Sequence, residues 1–466
     1  MKSEKQEKLV RMTTEPIQRL VCEMAVPTII SMLVTALYNI ADTFFVGQVG
    51  TSATAGVGLI FPVMTIIQAF GFYFGQGSGN FISRSLGARH NDEAEKMTAT
   101  GSVSALLFGC AMLLFGVLFR DNVLQVLGAA PGRVSDDTIR YAGDYLTIIL
   151  AGAPFMCLSY VLNNQLRFQG NAFFSMIGLV SGAILNCALD PLFIFVFHME
   201  VRGAALATII SQFVSCALLY IGTLRSDSLK IRLRNVRFSM YYFKNIFIGG
   251  APSLFRQGLA SVATLCLNAA AGAAVSAEMA DAAIAAFSVV SKIMMFGFSA
   301  LLGFGQGFQP ICGFNYGAQK YGRVRQAYQF CLKIGLIFLF VASAGGFLAA
   351  GKLVALFRDD PQVIAYGTIA MRCQCCTFTL MAVVTCTNML YQNIGRVLGA
   401  TLLSVARQGL MFIPTVLVLP KVFAEPIWGV YLAQPMADLF AFLLAVPLAI
   451  RMYRELKQRE AGEIVG

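Results

Sequence analysis

Five oxygen-bearing side chains fall where their spacing lets them meet. Tyr38 and Asp42 stand four residues apart, as do Asn186 and Asp190, so each pair shares one face of any helix that carries it. All four lie in long apolar runs. Asp42 comes five residues before Gly47, at the end of its run, and Asp190 seven before Phe197. At 1.5 Å per helical residue these are depths of roughly 8 and 11 Å. Thr208 lies five residues inside the start of the next run, at matching depth. A carboxylate held out of water can carry a proton, and carboxylate, amide and hydroxyl oxygens together can hold a hard cation such as Na+. A buried hydrogen-bond network that only fixes helix packing is the plainer alternative.

The elements that position these residues follow from composition. Of 466 residues 57% are hydrophobic and only 13% are charged, against about 25% charged in ordinary globular domains. So few charges cannot clothe a water-exposed surface, and the chain reads as an all-α integral membrane protein. Apolar runs long enough to cross a bilayer, about 20 residues each, fall at 20–47, 57–80, 97–119, 139–161, 173–197, 203–223, 244–272, 283–308, 327–350, 364–388, 397–420 and 427–450. Twelve spans put both termini on one side. That side carries 23 Lys and Arg against 7 on the other, which predicts cytoplasmic termini by the positive-inside rule. The net charge of +11 is thereby topological, and no nucleic-acid partner is expected. The polar segment 1–19 has no cleavable apolar stretch after it, so no secretory signal is predicted.

The two halves resemble each other at a spacing of about 225 residues, the mark of a duplicated bundle. Gly75-Gln76-Gly77, followed by Gly87-Ala88, matches Gly305-Gln306-Gly307 followed by Gly317-Ala318; Ala25-Val26-Pro27 matches Gly250-Ala251-Pro252; Pro191 matches Pro414 and Gly203 matches Gly429. Both halves begin on the same side, so the repeat is parallel. It predicts two six-helix lobes, 1–224 and 244–466, joined by a cytoplasmic linker at 225–243 and ending in a cytoplasmic tail at 451–466. Their pseudo-two-fold axis lies along the membrane normal, with a cavity between them.

The acidic cluster has no twin in the second half, where Ile413 and Leu267 align with Asp190 and Asp42. An ionisable residue inside a span is costly and a functional candidate by default. The first half also holds Asp144. The second half holds Arg256, Lys292, Arg372 and Arg407 against one acid, Asp438. Asp144, Arg256, Lys292 and Arg407 are the candidates for lining a substrate cavity; basic residues there would favour an anionic or zwitterionic substrate.

Other chemistries find little support. The 12 Cys are scattered through the spans as small apolar residues, and the cluster Cys373, Cys375 and Cys376 has no partner His. With two His in the chain, His90 and His198, both in loops, neither a structural metal site nor a triad enzyme is expected. Gly71, Gly75 and Gly79 recur at helical spacing with no strand before them, which suits close helix packing rather than a phosphate loop. No cofactor is expected.

The segments Thr14-Glu15-Pro16-Ile17, Ala25-Val26-Pro27-Thr28-Ile29-Ile30-Ser31 and Tyr38-Asn39-Ile40-Ala41-Asp42-Thr43-Phe44-Phe45-Val46-Gly47 resemble the first span of the multidrug and toxic compound extrusion (MATE) transporters, closest to the MepA-like branch of Gram-positive bacteria. The resemblance continues through Gln306-Gly307-Phe308-Gln309-Pro310, Asn315-Tyr316-Gly317-Ala318 and Arg407-Gln408-Gly409, and covers essentially the whole chain. It implies a secondary antiporter in a bacterial cytoplasmic membrane, monomeric, exporting amphipathic, mostly cationic small molecules by alternating access in exchange for H+ or Na+. The family's first-span acid falls on Asp42, and its fifth-span Asn and Asp fall on Asn186 and Asp190, with Tyr38 and Thr208 at neighbouring polar positions. Na+, if used, would sit among Asp42, Asn186, Asp190 and Thr208. Acids that some members carry in the seventh and tenth spans are replaced by Arg256, Gln257 and Arg372. The rival reading is a flippase or exporter of an anionic or zwitterionic, lipid-linked substrate.

Overall fold

The computed structural model describes residues 2–130, 133–225 and 229–462. Met1, residues 226–228 of the expected linker and 463–466 of the expected tail lie outside the described residues. No strand occurs among the described residues, and sixteen α-helices follow one another. The first half contains α1 (Lys2–Thr14), α2 (Ile17–Val49), α3 (Thr51–Gly87), α4 (Asn91–Leu118), α5 (Arg120–Val126), α6 (Asp136–Phe168), α7 (Ala172–Pro191) and α8 (Glu200–Arg225). The second contains α9 (Met240–Ala273), α10 (Ala277–Gly317), α11 (Tyr321–Phe357), α12 (Pro361–Phe378), α13 (Met381–Asn393), α14 (Val397–Val405), α15 (Phe412–Val422) and α16 (Pro426–Glu460).

Among the described residues ten helical segments are long and apolar enough to cross a membrane, and the pair α12 and α13, bent by 53° into one broken span, makes eleven. Helix α9, 34 residues long, completes the twelve; Arg256, Gln257 and Asn268 leave it less apolar than the others. The expected span 364–388 is thus a kinked helix pair. Within the stretch 1–19, expected only as a polar segment, Lys2–Thr14 forms helix α1. Its Met12 is buried, and Asn315 Nδ2 donates to the Met12 carbonyl at 3.0 Å.

Both chain ends lie on one face. Arg323 donates to the carbonyl of Glu15 at 2.6 Å, and Arg325 pairs with Glu460 at 2.9 Å. We call this the terminal face.

The two lobes are related by internal symmetry that shows in atomic detail. Asn163 Nδ2 donates to the carbonyl and hydroxyl of Ser175, and Asn388, its equivalent in the repeat, donates to the Ala400 carbonyl and the Ser404 hydroxyl. The two Gly-Gln-Gly motifs are where the lobes touch. Gly77 on α3 packs directly on the backbone of Ile246 in α9, and Gly307 on α10 on the backbone of Ala25 in α2. A Cβ at either position would collide with main chain that cannot step aside. Apolar packing between lobes is drawn from the same level: Leu20, Val21 and Met24 share a buried cluster with Phe304, Phe308 and Ile311. Hydrogen bonds agree, with Thr28 donating to Gly303 O at 2.6 Å and Arg84 to Asn393 O at 3.2 Å. Among the described residues, the hydrogen bonds joining the lobes all lie in the half of the bundle nearest the termini. Further out, the buried apolar clusters of the second lobe include no residue of the first. The bundle is closed at the terminal face and open at the other.

Candidate functional site

Asp190 occupies the last full turn of α7. Pro191 follows it, and a π-helical turn, Leu192–Val196, ends the segment. Such turns widen the helix and recur where side chains must be aimed at a site. Asp190 is fully buried, and Asn186 and Thr208 nearly so. Asn186 Nδ2 lies 3.5 Å from Asp190 Oδ1 and 3.4 Å from Thr208 Oγ1. With the amide turned over, it donates to Asp190 Oδ2 at 3.3 Å and accepts from the Thr208 backbone N–H at 3.3 Å. Thr208 Oγ1 donates to the Ala204 carbonyl at 3.0 Å, leaving its lone pairs turned to the cluster.

Asp42 comes to the same place from α2, which packs along α7. Its carboxylate lies within range of the charge on Asp190. Its Oδ1 is buried and has no hydrogen-bond partner. Tyr38, one turn earlier, lies within electrostatic reach of both acids. The geometry therefore brings together Tyr38, Asp42, Asn186, Asp190 and Thr208. Two carboxylates, an amide and a hydroxyl with unfilled acceptor positions form a set able to take up a proton or a hard monovalent cation.

Tyr145 on α6 escaped the sequence reading. It is fully buried beside Asp42, Asp190 and Tyr38, with its hydroxyl 3.5 Å from Met64 Sδ. The signal lay one residue away in Asp144, because successive helical residues point about 100° apart. Asp144, expected in the substrate cavity, turns outward instead. It forms a two-pronged ion pair with Arg202, at 2.9 and 3.1 Å, and Arg202 is 62% exposed.

The second-lobe bases separate in the same way. Arg407 lies inside a π-helical turn, Ala406–Met411, and pairs with buried Asp438 at 3.0 Å. Gln434 donates to the same carboxylate oxygen at 2.8 Å, and the guanidinium covers the Phe298 ring. Lys292 is exposed on α10. Arg372 is also exposed, with Nε 3.4 Å from the Phe347 carbonyl. Arg256 is partly buried on α9.

Twelve spanning helices in two symmetric lobes, closed at one end around a cleft and carrying an enclosed acidic pair in one lobe, define a membrane transporter rather than an enzyme. The chain belongs to the MatE family, whose model matches residues 27–192 and 258–417. It is 27% identical over 453 residues to the multidrug export protein MepA of Staphylococcus haemolyticus (strain JCSC1435), covering 96% of this chain and 97% of that one. It is 27% identical over 454 residues to MepA of Staphylococcus aureus (strain NCTC 8325 / PS 47), with 96% and 98% covered. A solved structure of a multidrug resistance MATE family transporter in an outward-facing conformation superposes with a TM-score of 0.89 at 26% identity, over 96% of this chain and 98% of that one.

Proposed function

We propose that this protein is a multidrug efflux antiporter, exporting amphipathic, mostly cationic compounds in exchange for H+ or Na+. The observation that carries this reading is the pair of half-buried Asp42 and buried Asp190, held in one lobe with no basic partner among the described residues. Protonation, or Na+ held by Asp42, Asn186, Asp190 and Thr208, neutralises the pair. The coupling ion does work only if it binds one arrangement of the lobes better than the other, and a cluster spread over α2, α6, α7 and α8 changes shape whenever those helices shift. With the terminal face cytoplasmic, the cleft opens outward, the state in which an exporter releases substrate and takes up its ion. The protein works as a monomer in a bacterial cytoplasmic membrane, both termini inside, with lobes at 1–224 and 244–466 around the linker 225–243.

The test is efflux of a fluorescent organic cation from proteoliposomes under an imposed pH or Na+ gradient, each applied alone. One gradient should drive efflux in the wild type and fail in Asp42→Asn. Efflux driven equally well in a well-folded Asp42→Asn protein would refute the coupling role.

A further inference from the structure

The cleft holds a second set of charges that the ion-coupling cluster does not use. Arg256 stands on α9 seven residues, or two helical turns, beyond Gly249, so the two share one face, and Gly249 packs on the Gly77 backbone at the lobe contact. It therefore sits where the lobes begin to part, at the floor of the cleft. Among the described residues its guanidinium has no hydrogen bond and no ion pair, and no acidic side chain bears on its charge.

Arg167, at the inner end of α6, is 2% exposed. Its Nη1 donates to Gln306 Oε1 across the lobe boundary at 2.7 Å, and its Nη2 to Asn164 Oδ1 at 2.6 Å. Both partners are neutral amides. The third nitrogen, Nε, is buried and unpartnered. Arg256 lies close enough for its charge to bear on Arg167. In the second lobe the chain compensates a partly buried Arg, as Asp438 does for Arg407. Two neighbouring cations enclosed by protein with no anion between them are costly, and the donors they leave unfilled suit a planar carboxylate or a phosphate-type oxyanion.

We propose that Arg256 and Arg167 form a recognition site for an anionic group at the floor of the cleft, so that among the amphipathic cations this protein exports it prefers zwitterions that also carry a carboxylate or phosphate-type group. The proposal deepens the export reading by naming a substrate class. Gln306 and Asn164 hold the Arg167 fork in place, while Met32, whose sulfur lies 3.8 Å from Gln306 Nε2, supplies adaptable apolar surface beside it.

The test compares two dyes that differ in this charge alone: rhodamine B, a zwitterion with a free carboxylate, and its ethyl ester, a cation. Binding to the purified full-length protein is followed by fluorescence polarisation. The wild type should bind rhodamine B at least about tenfold more tightly than the ester, the usual scale for a charge-assisted hydrogen bond. Arg256→Gln should bring the two dissociation constants together, and Arg256→Lys should keep part of the preference. In the wild type, benzoate should displace rhodamine B and leave the ester bound, a readout that needs no variant. Equal affinity for the two dyes in the wild type, or a preference that survives Arg256→Gln, overturns the proposal. A binding preference that persists while no gradient drives either dye supports the anion site and counts against the antiporter reading.

Discussion

Asp42 and Asp190 reach one buried pocket from different helices, and they are provided for unequally. Asp190 has the Asn186 amide beside it, bridged to Thr208, while the buried Oδ1 of Asp42 has no partner at all. A buried acceptor left unfilled is costly, so the pocket is poised to take up a proton or a cation at Asp42, with Asp190 as the oriented second ligand.

Removing either charge should therefore uncouple transport without unfolding the protein. Asp190→Asn is expected to reduce gradient-driven efflux by at least about tenfold, and Asn186→Ala, which frees both Asp190 and Thr208, by a smaller factor. Proteoliposome efflux beside a thermal melt of the same preparations checks this. A large drop in Tm in Asp190→Asn would assign the residue to packing instead.

The rotation that separates Asp144 from Tyr145 has an opposite signature at each position. Asp144→Asn breaks a rim ion pair whose partner is 62% exposed, a contact worth about 0.2–1 kcal/mol, and transport should stay within about twofold of wild type. Tyr145→Phe keeps the ring and removes the hydroxyl beside the acids, and should slow efflux several-fold. Initial efflux rates at saturating gradient distinguish the two.

Gly307→Val should force the lobes apart where α10 meets α2. The added side chain runs into the Ala25 backbone, and overpacking of this kind costs about 1–3 kcal/mol or more. Cys312 is fully buried in the closed end, so its alkylation by a membrane-permeant maleimide, in a background with the other cysteines replaced, should accelerate in the variant. An unchanged rate would mean the terminal face does not depend on this contact.

Asp438→Asn leaves the partly buried Arg407 without its counter-charge, and breaking a buried pair on one side typically costs about 3–5 kcal/mol. The double replacement Arg407→Met with Asp438→Leu should recover most of that loss, measured as Tm in detergent. Efflux by the double variant at close to the wild-type rate would establish that this pair holds the second lobe together and does not contact substrate.

Much of the fold could be read along the chain because the signals are local. A span announces itself by some 20 apolar residues in sequence, and the repeat by matched Gly and Pro. Tyr38 with Asp42, and Asn186 with Asp190, are fixed on shared faces by helical spacing alone. Two elements were obscured for equally local reasons. The bend between α12 and α13 lies within one largely apolar run with no Pro to mark it, and α1 is too polar to read as anything but a tail until Asn315, Lys320 and Arg323 hold its end in place.

What the sequence alone determined is the set of membrane helices, their duplication and the polar groups placed at matched depth in the first lobe. The tertiary structure decided which of those groups meet. Helix rotation turned Asp144 to the rim and Tyr145 inward, gave Arg407 its partner Asp438, and left Arg256 with none. It also set Arg167 against Gln306, 139 positions away. Such contacts depend on how each helix is rotated, tilted and advanced against its neighbours, and those freedoms are fixed only when backbones close on one another, as they do at Gly77 and Gly307.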